Sequence, residues 1–338
     1  MSVDIKKYLE LAFADNLDLE ATKVVFKLIM EGNVNEVQIS SFLSLLQKSG
    51  IKAHHINGAL DVMKSKMIKI KSPKGSIDTC GTGGDGKNSL NISTATAFVL
   101  AAKGIPIAKH GNRALTSNCG SADVLKSLKI NIDMDISKLE DCLNKTGICF
   151  MFAPNHHPAM KYVGPVRQQL GFRTIFNMLG PLMNPADVQG QLVGVYSKEV
   201  FDIYKEVFQN DPNKNVCLVS GFDGNDEISL DGSNLIFTKK NGLIDFDPET
   251  IGLQRAIKKE ITGGDANYNA DRILEIFNGK IDSFYHAVCI NSAFGILVSK
   301  NIEINNKNIQ DALDDVRLLI RDGMPNKIIE KLSLFTNS

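Results

Sequence analysis

The sequence has no excess of charge of either sign. Its 338 residues include 38 lysines and arginines and 38 aspartates and glutamates. A protein dedicated to nucleic-acid binding is usually basic overall, so this balance argues against that class. A site for an anionic ligand must therefore arise from local segregation of charge along the chain.

Closely spaced cysteines and long apolar runs are also missing. None of the six cysteines forms a C-x-x-C pair or is grouped with histidine at the spacing of zinc ligands. They are typical of buried thiols in a reducing compartment. The opening segment MSVDIKKYLELAF is interrupted by charge, unlike a signal peptide, and the apolar run 148–154 is far too short to span a bilayer. We therefore expect a cytoplasmic protein.

Helical patterns fill the first seventy residues. Hydrophobic residues make up 43% of the chain and charged residues 22%, as in a soluble globular protein. Four apolar stripes with helical spacing follow one another up to about residue 70, and Asp18 is a candidate N-cap of the second helix. The segment KSPKG at 71–75 then breaks the pattern like a linker.

From Ser76 onward, short β-prone runs alternate with helical stretches. These runs are IDTC at 77–80, IPIA at 105–108, CFMFA at 149–153, QLVGV at 191–195 and NVCLVSG at 215–221. Such alternation predicts a largely parallel sheet flanked by helices. Two helical pieces within 156–182 interrupt it, and the tail from Asn269 to about Leu332 is again helical. The predicted fold class is α/β with a small all-α domain.

A glycine-rich loop, DTCGTGGDGKNS at 78–89, follows the first predicted strand. Gly81, Gly83 and Gly86 match the dinucleotide motif G-x-G-x-x-G, but residues 87–122 lack the acid that this motif places about 20 residues on. The P-loop motif also fails, because Asn88 stands where Ser or Thr is required. The loop on its own fits either an anion site or a tight surface turn.

The acid-free stretch 87–122 is more informative. It contains Lys87, Lys103, Lys109 and Arg113, which predict a local positive field in a chain of zero net charge. Small hydroxyl and amide side chains are interleaved with these cations. A pyrophosphate beside a sugar phosphate needs such an arrangement, in which an extended and highly charged ligand lies against backbone N–H groups.

Long motifs in this region resemble the anthranilate phosphoribosyltransferase family. They are GTGGDGKNSLNIST at 81–94, KHGNRALTSNCGSADVL at 109–125, the segment 152–185 and DGNDEIS at 223–229. The resemblance covers essentially the whole chain. It implies transfer of a phosphoribosyl group from phosphoribosyl pyrophosphate to the amine of anthranilate, in tryptophan biosynthesis.

The same resemblance implies a nucleoside phosphorylase/phosphoribosyltransferase-like two-domain fold. We expect a helical domain over 1–70, joined by helices from about 160–185, and an α/β domain over 71–338 that binds phosphoribosyl pyrophosphate. It also implies a homodimer that forms through the helical domains. Four apolar stripes are more than a thin helical layer buries by itself, which supports that expectation.

Site residues follow from the resemblance, position by position. Phosphoribosyl pyrophosphate is expected to contact the glycine loop, the start of the next helix and the KHGNRA segment: Gly81, Gly84, Asp85, Ser89, Asn91, Ile92, Ser93, Thr94, Lys109, His110, Gly111, Asn112, Arg113, Ala114, Leu115, Thr116, Ser117 and Ser121. Anthranilate is expected to contact Gly81, Asn112 and Arg167.

Two magnesium ions per subunit are also implied. Ser93 and Glu227 would hold one ion, and Asp226 with Glu227 the other. Magnesium prefers oxygen ligands, and it lowers the cost of the charge on a departing pyrophosphate. The residues expected to take part in catalysis are Lys109, Asp226 and Glu227. Because the anthranilate amine is already neutral at pH 7, we expect no strong general base, and positioning should supply most of the acceleration.

Two other functions share some of these features. A pyrimidine nucleoside phosphorylase on the same fold would bind free phosphate and a nucleobase, but the KHGNRA run and the GTGGDG loop favour the transferase. The second is a non-catalytic relative that binds nucleic acid. The zero net charge and the adjacent Asp226 and Glu227 argue against that function. Neither is expected to be the function of this chain.

Overall fold

The structure is a computed structural model that describes residues 5–83, 86–113 and 119–338. These residues form sixteen α-helices, which in chain order are α1 (Lys6–Phe13), α2 (Leu19–Met30), α3 (Glu36–Ser49), α4 (Ala53–Lys66), α5 (Ile92–Ala102), α6 (Ser121–Ser127), α7 (Ile136–Thr146), α8 (Ala153–His156), α9 (Gly164–Leu170), α10 (Ile175–Leu179), α11 (Lys198–Gln209), α12 (Lys258–Ile261), α13 (Ala266–Phe277), α14 (Ser283–Ser299), α15 (Asn306–Arg321) and α16 (Met324–Thr336).

Seven strands are present in the same residues: β1 (Ile77–Gly81), β2 (Ile107–Gly111), β3 (Ile148–Phe152), β4 (Gly190–Gly194), β5 (Asn215–Ser220), β6 (Asn234–Thr238) and β7 (Gly242–Phe246). The chain divides into two compact units. The helical unit comprises Met1–Lys69 and Pro154–Pro185, and the α/β unit comprises Ile70–Ala153 and Ala186–Ser338.

The helical unit is built on capped amphipathic helices. The Asp18 carboxylate accepts a hydrogen bond from the Ala21 N–H at 2.8 Å, which confirms Asp18 as the N-cap of α2. Phe26 of α2 is fully buried, and its ring centroid lies 6.1 Å from that of Phe42 and 5.5 Å from that of Phe176. Phe176 belongs to α10, so the returning segment supplies part of this unit's core.

The α/β unit contains one mixed sheet with the strand order β3-β2-β1-β4-β5-β6-β7. Neighbours from β3 through β5 are parallel, as the alternating pattern predicts, and β6 and β7 add an antiparallel pair. The chain moves outward from β1 to β3 and then returns to the other side of β1 with β4. In such sheets ligands bind beyond the carboxyl ends of the strands at this point of reversal.

Two apolar helices cover the sheet near this reversal. Helix α5 buries Ala95, Ala97, Phe98, Val99 and Leu100 completely, and α14 is buried along almost its whole length. This continuous burial explains why neither helix has a polar face. In the part of the chain that the structure describes, no helix is both long and apolar enough to cross a membrane.

Candidate active site

Glycines at the ends of β1 and β4 admit an acidic loop to the edge of the sheet. A Cβ atom on Gly194 would overlap the Asp226 backbone carbonyl, and one on Gly81 would overlap the Asp226 carboxylate. The two glycines are register partners in adjacent parallel strands. Only glycine therefore allows the loop after β5 to lie directly against both strand ends.

Each carboxylate of the adjacent acidic pair accepts a backbone N–H from a different segment. Asp226 Oδ2 accepts from the Gly83 N–H at 2.8 Å, and Glu227 Oε1 accepts from the Ser93 N–H at 3.1 Å. Gly83 belongs to the glycine-rich loop, and Ser93 lies in the first turn of α5. The acids after β5 thus meet both segments that the sequence assigns to phosphate binding.

The backbone around this pair is fixed by asparagine side chains. Asn225 Oδ1 accepts from the Glu227 N–H at 3.2 Å. Asn291 of α14 brackets the next residue, because its Oδ1 accepts from the Ile228 N–H and its Nδ2 donates to the Ile228 carbonyl, both at 3.1 Å. Buried amides that bond backbone on both sides hold the loop in one conformation.

Lys109 places a buried cation beside the start of α5. Its side chain lies in β2 and is only 3% exposed. Its Nζ donates to the Thr79 carbonyl at 2.5 Å and to Ser93 Oγ at 3.5 Å. A cation in this position favours any polyanion that approaches the N-terminus of α5.

The end of β2 carries further predicted residues. Ser121 Oγ donates to the Asn112 carbonyl at 3.3 Å, and a Cβ atom on Gly111 would overlap the Ser121 hydroxyl. The Arg113 guanidinium lies over the Phe152 ring, 5.6 Å from its centroid. Residues at the end of β2 and the start of α6 therefore lie at the same edge of the sheet as the acidic loop.

In the folded structure, the positive field of residues 87–122 is weaker than the sequence predicts. Lys87 Nζ lies 2.5 Å from Asp223 Oδ2, and Lys103 Nζ lies 2.7 Å from Asp315 Oδ2. The stretch 87–122 lacks acids, but acids from later segments fold back onto two of its cations. Lys109 and Arg113 remain as the cations of this stretch that lie in or directly after β2.

The acidic pair suits a hard divalent cation. Across the described ranges, no cluster of three or more His, Cys, Asp and Glu side chains is arranged to hold a metal ion. Two adjacent carboxylates and a serine hydroxyl are nevertheless enough for magnesium, which keeps several waters and takes phosphate oxygens as ligands. The Thr94 hydroxyl, buried in the first turn of α5, has no partner among the described residues, which fits a segment built for an oxygen-rich ligand.

Most predicted residues lie in one unit. The α/β unit contains Gly81, Ser89, Asn91, Ile92, Ser93, Thr94, Lys109, His110, Gly111, Asn112, Arg113, Ser121, Asp226 and Glu227. Gly84, Asp85, Ala114, Leu115, Thr116 and Ser117 lie outside the described residues. Arg167 belongs to α9 of the helical unit.

Arg167 is held against an aromatic ring of its own unit. Its guanidinium lies over the Phe176 ring, 5.4 Å from the centroid. Burial lowers the pKa of this guanidinium from its ordinary value. A charge that has lost part of its water gains more from a carboxylate partner than a fully hydrated one does.

Sequence reasoning missed Thr79 and Asn225, which orient Lys109 and Glu227. The Thr79 contribution is a backbone carbonyl, and no residue type signals that role. Asn225 does carry a signal, because an asparagine two residues before the group it serves is typical of an Asx turn. That signal indicates a role in the site only after Glu227 has been identified as a candidate metal ligand.

Two family models match the chain. Residues 5–67 match the glycosyl transferase family, helical bundle domain, and residues 73–324 match the glycosyl transferase family, a/b domain. Anthranilate phosphoribosyltransferase of Petrotoga mobilis is 40% identical over 96% of this chain and 94% of its own length. The enzyme of the same name from Pelagibacter ubique is 40% identical over 91% of this chain and 93% of its own length.

Solved structures agree with these relatives. The anthranilate phosphoribosyltransferase of Thermus thermophilus matches with a TM-score of 0.91 and 30% identity, over 98% of this chain and 99% of that one. The Saccharomyces cerevisiae enzyme, solved in complex with phosphoribosyl pyrophosphate and magnesium, matches with a TM-score of 0.91 and 25% identity over 98% of each chain. The chain belongs to the anthranilate phosphoribosyltransferase family.

Proposed function

We propose that this protein transfers the phosphoribosyl group of phosphoribosyl pyrophosphate to the amine of anthranilate. The products are N-(5-phosphoribosyl)anthranilate and pyrophosphate, and the reaction is a step of tryptophan biosynthesis. One observation carries the proposal above the others. Asp226 and Glu227 accept N–H groups from the glycine-rich loop and from α5, so the acids for a metal ion lie beside both segments that we propose for phosphate binding.

Phosphoribosyl pyrophosphate binds, in this proposal, along the ends of β1 and β2 and the start of α5. Lys109 and the backbone N–H groups of the glycine-rich loop oppose the negative charge of the pyrophosphate. Asn91, Thr94 and Ser121 supply neutral donors for the remaining oxygens. The Saccharomyces cerevisiae relative, solved with this substrate, supports the choice of ligand.

Magnesium is the metal that we assign to this site, with two ions per subunit. Ser93 and Glu227 would hold one ion, and Asp226 with Glu227 the other. When bound, magnesium stabilises the charge that develops on the departing pyrophosphate. The protein's own contribution is to hold the two carboxylates in place, through Asn225 and Asn291.

Anthranilate is bound by Gly81, Asn112 and Arg167 in this proposal. The guanidinium of Arg167 offers two parallel donors to the carboxylate, which orients the amine. The amine is neutral at pH 7 and attacks C1 of the ribose as pyrophosphate leaves, with inversion at that carbon, and the nitrogen then releases one proton. Positioning and stabilisation of the leaving group therefore supply most of the rate enhancement.

A fluorescence assay tests the proposed reaction directly. The wild-type protein should consume anthranilate in the presence of phosphoribosyl pyrophosphate and magnesium, and it should stop when the metal is chelated. Thymidine with inorganic phosphate is the control substrate pair. Release of deoxyribose phosphate from thymidine, with no loss of anthranilate fluorescence, would assign the site to a nucleoside phosphorylase instead.

The protein should form a homodimer through its helical unit. Phe13 and Val37 of this unit are 81% and 76% exposed, so they are available to a partner surface. Light scattering at micromolar concentration should give twice the mass of the 37.0 kDa chain. Phe13→Asp with Val37→Asp should shift that mass toward the monomer, whereas Leu243→Asp in the α/β unit should not.

A wild-type monomer at that concentration would contradict the dimer but would leave the proposed reaction unaffected.

We also propose a cytoplasmic location, as the cysteine pattern predicts. All six cysteines are thiols, and all but Cys80 are buried.

A further inference from the structure

Helix α5 begins with an asparagine that does not cap it. Asparagine is favoured at the N-cap because its side-chain oxygen accepts an N–H from the first turn. Asn35 and Asn305 do so at the starts of α3 and α15. Asn91 occupies the same position in α5, yet its side chain makes no such bond. The Ser93 N–H is taken by Glu227 instead.

The backbone at Asn91 explains how capping is avoided. Its φ and ψ are −72° and 68°, whereas Asn35 has the extended ψ of 162° that capping requires. The Ile92 N–H donates to the Leu90 carbonyl at 2.7 Å. A bond across two residues with these angles is an inverse γ-turn, centred on Asn91. The turn points the Asn91 side chain away from its own helix.

Asn269 holds the Asn91 side chain in that direction. It lies in the first turn of α13 and is 1% exposed. Its Nδ2 donates to Asn91 Oδ1 at 2.9 Å, and its Oδ1 accepts from the Gly264 N–H at 2.8 Å. Asn269 thus occupies the oxygen atom that Asn91 would otherwise use as a cap.

The segment before α13 is itself tied to the glycine-rich loop. Ser89 and Thr262 form an antiparallel bridge. The Gly263 N–H donates to the Asn88 carbonyl at 2.7 Å, and the Leu90 N–H donates to the Ile261 carbonyl at 3.0 Å. These bonds fix the distance between α13 and the start of α5, so Asn269 meets Asn91 in a defined geometry.

A second contact extends the arrangement to the other phosphate segment. Asn91 Nδ2 lies 3.4 Å from the Cys119 carbonyl, two residues before Ser121. Burial raises the pKa of the Cys119 thiol to about 11, and a hydrogen bond from Asn269 opposes part of that rise. Asn269 therefore contacts both Asn91, at the start of α5, and Cys119, just before α6.

We propose that Asn269 is a positioning residue that keeps the N-terminus of α5 open to phosphoribosyl pyrophosphate by occupying the capping oxygen of Asn91. This inference rests on the proposed function. Without Asn269, Asn91 relaxes to the extended conformation and caps its own helix. The substrate then competes with the Asn91 side chain for the Thr94 N–H, because Glu227 already accepts from the Ser93 N–H.

Asn269→Ala tests this inference. The KM and Kd for phosphoribosyl pyrophosphate should rise about tenfold, the factor that corresponds to one net hydrogen bond. The KM for anthranilate should change little. Asn267→Ala is the matched control, because Asn267 lies in the same turn of α13 and bonds the Ser127 hydroxyl instead.

A double-mutant cycle separates positioning from a general loss of stability. If Asn269 acts through Asn91, adding Asn269→Ala to the Asn91→Ala variant should weaken substrate binding no further. If the alanine variant does not fold, Asn269→Asp keeps the oxygen that accepts the Gly264 N–H. The added charge is present whether position 91 is Asn or Ala. The difference in substrate affinity between those two variants therefore still isolates the effect of the Asn91 side chain.

Two results would overturn the inference. One is an unchanged affinity for phosphoribosyl pyrophosphate in the Asn269→Ala variant. The other is an equal loss of affinity with and without the Asn91 side chain. Wild-type activity with anthranilate is measured first. If the wild type lacks it, the proposed function fails, whereas an active wild type with either result above disproves only the role of Asn269.

Discussion

Replacing Asp226 by Asn and Glu227 by Gln together should lower turnover by about 100-fold or more, because the proposed metal ions would lose the charges that hold them. The magnesium concentration needed for half-maximal activity should rise as well. The fold should survive, since each amide keeps an oxygen that can accept the N–H of Gly83 or Ser93. Steady-state kinetics across a magnesium titration, with thermal unfolding as the check on folding, gives both quantities.

The control removes two carboxylates from the same unit but away from the site. Asp245→Asn with Glu249→Gln changes the net charge equally, and these residues bond Ser233 and Arg255. Its kinetics should resemble those of the wild type. If the Asp226 and Glu227 variant also keeps wild-type kinetics and the same magnesium requirement, these acids have no part in the mechanism.

Arg167→Ala should lower kcat/KM for anthranilate by about 30- to 1000-fold, which corresponds to roughly 2–4 kcal/mol for a charge-assisted contact with a carboxylate. The guanidinium over Phe176 is partly buried, so it has lost hydration that the carboxylate of anthranilate would replace in the proposed complex. The KM for phosphoribosyl pyrophosphate should change far less. Arg167→Lys should not restore activity, because an ammonium group cannot copy two parallel donors.

An anthranilate analogue without the carboxylate makes the test specific. It should be a poor substrate for the wild type and lose little further in the Arg167→Ala variant, because both changes remove the same contact. Arg173→Ala, an exposed arginine of the same unit, is the control. Equal weakening of both substrates, or of neither, would exclude Arg167 as the carboxylate ligand.

Local features of the fold were predictable because they depend on neighbouring residues. Asp18 caps α2 as its residue type and position predict, and β1, β3, β4 and β5 lie within one residue of their β-prone runs, while β2 begins two residues and ends three residues after its run. The antiparallel pair β6 and β7 was not predicted, although the sequence contains the turn signal Asn241-Gly242 at the turn between these strands. Polar residues in both strands weaken the alternation that would have revealed them.

The sequence predicts a set of candidate site residues but not how they are arranged in space. Gly83 and Asp226 are hydrogen-bonded across 143 positions of sequence. Their meeting depends on β4 lying next to β1, and no local pattern fixes that strand order. The same limitation explains why the positive field is weaker than predicted. The acidic partners of Lys87 and Lys103 come from segments that follow much later in the chain.

The return of residues 154–185 to the helical unit has a consequence for synthesis on the ribosome. The nascent chain completes α1 to α4 early, but Phe176, which packs on Phe26, is added only after the 106 residues from 70 to 175. At about 5–20 residues per second, that delay is about 5–21 seconds. The α/β unit is interrupted in the same way, since β1 waits for β4. Neither unit is a contiguous stretch of the chain, so each one is completed only after part of the other has been made.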